Sequence, residues 1–154
     1  MITRISILTF TALLGLACTP VTLSHQGRVD FEQYRSVFVE PILLSGSAVF
    51  PDEDRGTQLY LVDELRLISG FTTVAGTSSP TPSTVLTVEM RVDSEENFET
   101  GQIRYTARTE FTLRTIAGVT LVSDSTSSSD NNIREAQEEA LESIALFFLK
   151  PYRI

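Results

Sequence analysis

Histidine, cysteine and tryptophan are almost missing from this sequence: one, one and none in 154 residues. The single histidine, His25, sits in a polar stretch ahead of the first patterned segment and reads as a solvated tether residue. A Ser-His or Cys-His nucleophile needs a histidine in the folded body, and the sequence places none there. No Cys/His zinc spacing, P-loop or dinucleotide fingerprint occurs either. Carboxylates alone could perform acid–base chemistry or hold a metal, but here they fall on helix faces and turns where solvation accounts for them. The sequence therefore predicts no enzyme, no catalytic residue, no metal site and no cofactor. Basic residues are scarce as well, with 12 Lys and Arg against 20 Asp and Glu and a formal net charge of −8. Such a chain repels phosphate backbones, which argues against nucleic acid as a partner, and it lacks a broad basic surface for anionic lipid.

The one cysteine stands at an informative place. Arg4 supplies a short positive segment, and Ile5 to Leu16 form an apolar run broken only by Ser6, Thr9, Thr11 and Gly15. That run is too short for a membrane span of roughly 20 apolar residues and has the layout of a secretory signal. It ends in Leu14-Gly15-Leu16-Ala17-Cys18, which looks like a bacterial lipobox, although Gly15 occupies the place three before the cysteine where a large aliphatic residue is usual. Residues 1–17 are thus expected to be a lipoprotein signal peptide, Cys18 the lipidation site, 18–30 the lipidated cysteine and tether, and 31–154 a single domain. Acyl chains contribute on the order of 0.8 kcal/mol per buried methylene, so several together anchor the chain firmly. Thr19 follows the cysteine where an aspartate would resemble an inner-membrane retention signal. The expected location is the outer membrane, lipid-anchored and facing the periplasm.

Within the domain, hydrophobic spacing supplies the elements. Tyr34–Ile42 is the first strand, with Val37 and Val39 on one side, Phe38 and Glu40 on the other, and Pro41 at its end. The acidic Pro51-Asp52-Glu53-Asp54 suits a helix N-terminus better than a calcium loop, whose glycine and ligand spacing is absent. A helix over 56–69 follows, with Leu61, Leu65 and Ile68 on one face, Leu59 and Val62 beside it, and Gly70 leaving it in a left-handed conformation. Val85 to Asp93 alternates cleanly, an acidic turn passes through Glu95, Glu96 and Glu99, and Ile103 to Leu113 alternates again. Ala117-Gly118 makes a turn into a fourth strand, Val119 to Asp124, and the serine-rich stretch from Ser123 to Asn132 reads as a loop. Asn132 and Glu135 then form a capping box for a helix whose Ile133, Ala136, Ala140, Leu141, Ile144, Phe147 and Phe148 share a face, ended by Lys150-Pro151. The fold class is α+β: a two-layer sandwich ordered strand-helix-strand-strand-strand-helix, with a mostly antiparallel four-stranded sheet covered on one face by two helices.

This layout resembles the lipopolysaccharide-assembly lipoprotein family. The stretches that carry the resemblance are Y-R-S-V-F-V-E-P-I, L-R-L-I-S-G-F, L-T-V-E-M-R-V and the hairpin Y-T-A-R-T-E-F-T-L-R-T-I-A-G-V-T-L-V, and other small envelope lipoproteins share a similar first strand and hairpin. The resemblance implies a plug that inserts into an outer-membrane β-barrel translocon and contacts lipopolysaccharide through basic residues. Arg104, Arg108 and Arg114 on the long strand, with Arg91 on the strand before it, are the matching positions, and Glu89 and Glu110 are placed among them. Cross-strand pairing on a solvated sheet face is the other use for these arginines.

Three functions stay open at this point. One is a noncatalytic assembly or docking subunit of an envelope complex, which would use the polar sheet face or an edge strand, with an outer-membrane β-barrel as partner. A second is a periplasmic binding lipoprotein for a small molecule or peptidoglycan fragment. It would need a deep pocket lined by Tyr105, Phe111, Phe147 and Phe148, and close packing of those rings would exclude it. The third is a carboxylate hydrolase, which would need two acids converging in a cleft.

Overall fold

The structure, a computed structural model, describes residues 29–48, 54–77 and 81–149. The signal peptide, Cys18, His25, Asp52, Glu53 and Lys150-Pro151 lie outside the described residues. Eight elements follow in order: β1 (Ser36–Val39), β2 (Leu43–Ser45), α1 (Asp54–Ile68), β3 (Thr73–Ala75), β4 (Thr84–Asn97), β5 (Gln102–Thr115), β6 (Thr120–Asp130) and α2 (Ile133–Phe147). They form one mixed sheet ordered β3-β1-β4-β5-β6, with β2 pairing β4 further along the edge that β1 occupies. β4, β5 and β6 are an antiparallel meander, whereas β1 runs parallel to both β3 and β4.

The expected α+β architecture with two helices is present, but the sheet has six strands and a parallel half instead of four mostly antiparallel strands. The physical reason is length. β2 and β3 have three residues each, too few for alternation to declare a strand, and no local pattern reports that β1 inserts between two parallel neighbours. The first strand is shorter than expected, and β2, beyond its expected end at Ile42, continues along the same edge of β4 after an irregularity. Val39 pairs with Leu86 and Leu43 with Glu89, so four residue steps on one side match three on the other. The extra residue lies at Pro41, which has no N–H to give a ladder, and the shift turns Ile42 into the core.

Both helices lie on one face and enclose a single core. Leu86, Val88, Met90 and Val92 of β4 and Ala107, Phe111 and Leu113 of β5 face Leu61, Val62 and Leu65 of α1 and Ala140, Leu141 and Ile144 of α2. Buried Gln58 on α1 donates from its side-chain amide to the carbonyls of Val39 and Gly76, 2.9 Å each, which pins α1 over the β1 end of the sheet. Gly70 does not leave α1 in a left-handed conformation, since the positive-φ glycines are Gly46, Gly101 and Gly118. Its role is space: a Cβ there would sit 2.5 Å from the ring of Phe31, which packs edge-on against Phe71 at 5.0 Å.

The largest correction concerns residues 123–130, which are strand and not loop. β6 pairs with β5 from Thr120 to Asp130. Hydroxyls join the two strands on both faces: Thr106 meets Ser129 at 2.8 Å and Thr112 meets Ser123 at 3.3 Å on the open side, and Thr109 meets Thr126 at 2.5 Å on the covered side. Thr126 also donates to the Ala140 carbonyl at 2.9 Å, and Ser128 donates to Glu139, so α2 is bonded to β6 as well as packed on it. The α2 cap departs slightly from a reciprocal box. The Asn132 side chain accepts from the Arg134 N–H at 3.0 Å, but the Asn132 N–H goes to Asp130 at 2.8 Å, not to Glu135. No helix among the described residues is long and apolar enough to cross a membrane.

Candidate docking surface

The alternation that buries one side of β4 and β5 leaves the other side uncovered by either helix. On β4 this open face carries Val85, Thr87, Glu89, Arg91, Asp93 and Glu95; on β5 it carries Arg104, Thr106, Arg108, Glu110, Thr112 and Arg114. Ser123, Ser125, Ser127 and Ser129 extend it across β6 with short side chains, and Leu43 and Ser45 extend it across β2. Leu43 is 61% exposed there, beside Glu89.

Register decides the electrostatics. Glu89 stands directly opposite Glu110, and Arg91 directly opposite Arg108, so two like-charge pairs form adjacent rows at the centre of the face. Opposed residues on an antiparallel pair have Cβ atoms roughly 4.5–5.5 Å apart, where like charges repel. No ion pair links these four side chains to one another among the described residues. Arg91 instead donates from Nε to Asp93 at 2.8 Å along its own strand, and that hydrogen bond holds the Asp93 carboxyl below the ordinary aspartate range.

The four sequence-predicted arginines do not form one cluster. Arg91 and Arg108 are neighbours. Arg104 is four residues from Arg108, about 13 Å along the strand, opposite Glu95 near the free end of the hairpin. It lines a surface depression of 590 Å³ with Glu95, Glu96, Asn97, Gln102 and Asp130. Arg114 lies at the far end beside Val85, 2.8 Å from the Thr87 hydroxyl and 3.7 Å from the Glu40 carboxylate, which itself accepts from Thr87 at 2.7 Å. Arg114 is therefore in a cross-strand network, as the alternative use of these residues anticipates, whereas Arg104 and Arg108 enter no ion pair among the described residues. Leu43 escaped the sequence reading as a member of this surface, as did the contacts of Arg114 with Glu40 and Thr87. The serines at every second position from 123 to 129 are the signal that could have extended the fourth strand beyond Asp124.

The other two arrangements can be judged directly. Phe111, Phe147 and Phe148 pack ring to ring at 5.1–5.8 Å, which fills the space a deep apolar pocket would occupy. Glu89 and Glu110 do converge beside a 350 Å³ depression lined also by Thr87, Thr112, Arg114, Thr120 and Ser123, but both are exposed on an open face. No group of three or more metal-ligating side chains occurs among the described residues.

No family model matches the chain, and no curated sequence matches it. Solved structures do share its fold. The PelC dodecamer from Paraburkholderia phytofirmans aligns with a TM-score of 0.57 at 16% identity, covering 77% of this chain and 91% of that one. Protein XCC0632 from Xanthomonas campestris, of the DUF330 family, aligns with a TM-score of 0.50 at 9% identity, covering 71% and 78%. Lipoprotein GNA1162 from Neisseria meningitidis aligns more loosely, with a TM-score of 0.48 at 15% identity, covering 72% and 94%, and adds nothing to the likeness of fold. At these identities the likeness is one of fold.

Proposed function

We propose that this chain is a noncatalytic docking subunit of a bacterial envelope complex, lipid-anchored through Cys18 at the periplasmic side of the outer membrane. The observation that carries the reading is the open face of β4, β5 and β6. It has one apolar side chain standing clear, two like-charge rows with no ion pair between them and short serines along its margin. A surface of that kind favours a protein partner presenting charges in the reverse order, because specificity at interfaces comes from such complementarity. The fold is also one that serves as an assembly subunit elsewhere, since PelC of P. phytofirmans is a dodecamer. The complex most in keeping with the sequence is a lipopolysaccharide-insertion translocon with its β-barrel, in which Arg91, Arg104, Arg108 and Arg114 would lie at or near the contact.

The test is affinity capture of the full-length lipoprotein from detergent-solubilised envelope of its native host. A Cys18→Ala control removes the anchor, and an Arg104→Glu/Arg108→Glu variant alters the surface. Recovery of an outer-membrane β-barrel that falls in both variants is the expected outcome. A lipidated, folded protein that recovers no envelope partner would overturn the subunit reading.

A further inference from the structure

The two like-charge rows are oriented so that one particular partner satisfies both at once. Glu89 and Glu110 form an acidic row across β4 and β5, and Arg91 and Arg108 form a basic row one step along, about 7 Å away. Take a second copy of the same sheet, laid face to face and related by a two-fold axis that runs across the strands between the two rows. That axis exchanges the rows. The basic row of each copy then lies over the acidic row of the other, β4 over β4 and β5 over β5, with four ion pairs at the centre. We propose that the open face is a two-fold interface between copies of this chain, organised by this charge square. The proposal rests on the open face being the docking surface and names what sits on its centre. The β6 edge and the free end of the β4–β5 hairpin, where Phe98 is 93% exposed, remain for the rest of the complex.

Three observations favour a second copy over an unrelated partner. An isologous interface must be self-complementary, and a row order of minus then plus on two adjacent strands is self-complementary without any further adjustment. The surroundings let two sheets approach: Ser125 and Ser127 flank the square on β6, Leu43 and Ser45 flank it on β2, and the axis brings Leu43 over Ser45. The area is also sufficient. Four strands over some nine residues present roughly 600 Å² per copy, about 1,200 Å² in total, at the lower bound for a specific interface. Arg91 commits its Nε to Asp93, which leaves its terminal nitrogens for the second copy. The same axis would bring Arg114 towards Arg104, but Arg114 is held by Glu40 and Thr87, and the roughly 30° between aligned sheets separates the corners while the centre stays in register.

The experiment is self-capture of full-length chains carrying two different tags, co-expressed and solubilised in detergent. Wild type should capture wild type. Arg91→Glu/Arg108→Glu makes the square wholly acidic and Glu89→Arg/Glu110→Arg makes it wholly basic. Each should lose self-capture by at least about tenfold, and the two co-expressed should capture each other. A third variant, carrying all four reversals together, keeps the composition of the square and so guards against loss of folding. It should capture itself and not the wild type. Absence of wild-type self-capture overturns the proposal, as does self-capture that is indifferent to these reversals, the result expected from shared micelles. A chain that captures a β-barrel through this face but not its own copy would overturn this proposal alone. Self-capture without any other envelope partner would instead overturn the wider subunit reading alone.

Discussion

On β4 and β5 adjacent residues belong to two different environments. Val88 and Met90 are buried under the helices, while Glu89 and Arg91 between and beyond them are exposed. The covered face is governed by volume. Its side chains need only be apolar and of the right size, and Phe111, Phe147 and Phe148 close the space ring against ring. The open face is governed by register. Its central charges depend on what stands opposite, and at Glu89–Glu110 and Arg91–Arg108 that is repulsive. One face thus carries stability and the other is free to carry recognition, which makes them separable by mutation.

The largest expected effect falls on the covered face. Phe111→Ala removes the ring shared by Phe147 and Phe148, and should cost about 3–5 kcal/mol in denaturant unfolding. A loss under about 1 kcal/mol would mean that this face is not close-packed. Next comes Thr126→Val, which removes the donor to the Ala140 carbonyl and the partner of buried Thr109. It should cost about 1–2 kcal/mol. A change within about 0.5 kcal/mol is what an exposed loop would give, and would contradict β6 as a strand tied to α2.

These two positions show what the sequence could and could not reveal. Phe111 lies in an alternating run whose period alone assigns it to the core, so its burial was legible. Thr126 lies among serines, whose hydroxyls serve a strand ladder as well as a loop, so the segment gives no apolar period to read. The arginines were legible as exposed but not as partners. The turn over residues 98–101 sets Asn97 opposite Gln102, and with that register Arg91 faces Arg108. Moved by two residues, the same strands would have set Glu89 against Arg108 and formed ordinary cross-strand pairs. Likewise β1 was visible as a strand, but its place between two parallel neighbours depends on α1 returning the chain to β3, a long-range fact.

Smaller effects belong to the open face. Arg108→Ala should change the stability of the isolated chain by no more than about 0.5 kcal/mol, because the repulsion with Arg91 that it relieves is offset by the attraction to Asp93 that it removes. A clear loss measured by thermal unfolding would show that Arg108 is structural. The smallest effect is electrostatic. Nuclear magnetic resonance titration should find the Asp93 carboxyl below the ordinary aspartate range, and Arg91→Ala should bring it back up. Because its pKa is lowered in the folded chain, any stability from this pair is present at neutral pH and fades as pH falls through the lowered value. A normal Asp93 titration would leave Arg91 uncommitted and the basic row freer than described.

The comparison of the two sides of the molecule can be made in the envelope itself. A photoreactive amino acid placed at Ser127 on the open face, or at Leu67 on the exposed side of α1, reports which side meets protein in the native host. Specific adducts at 127 with none at 67 are expected. Adducts at 67 with none at 127 would place the contact on the helix layer and contradict docking through the open sheet face.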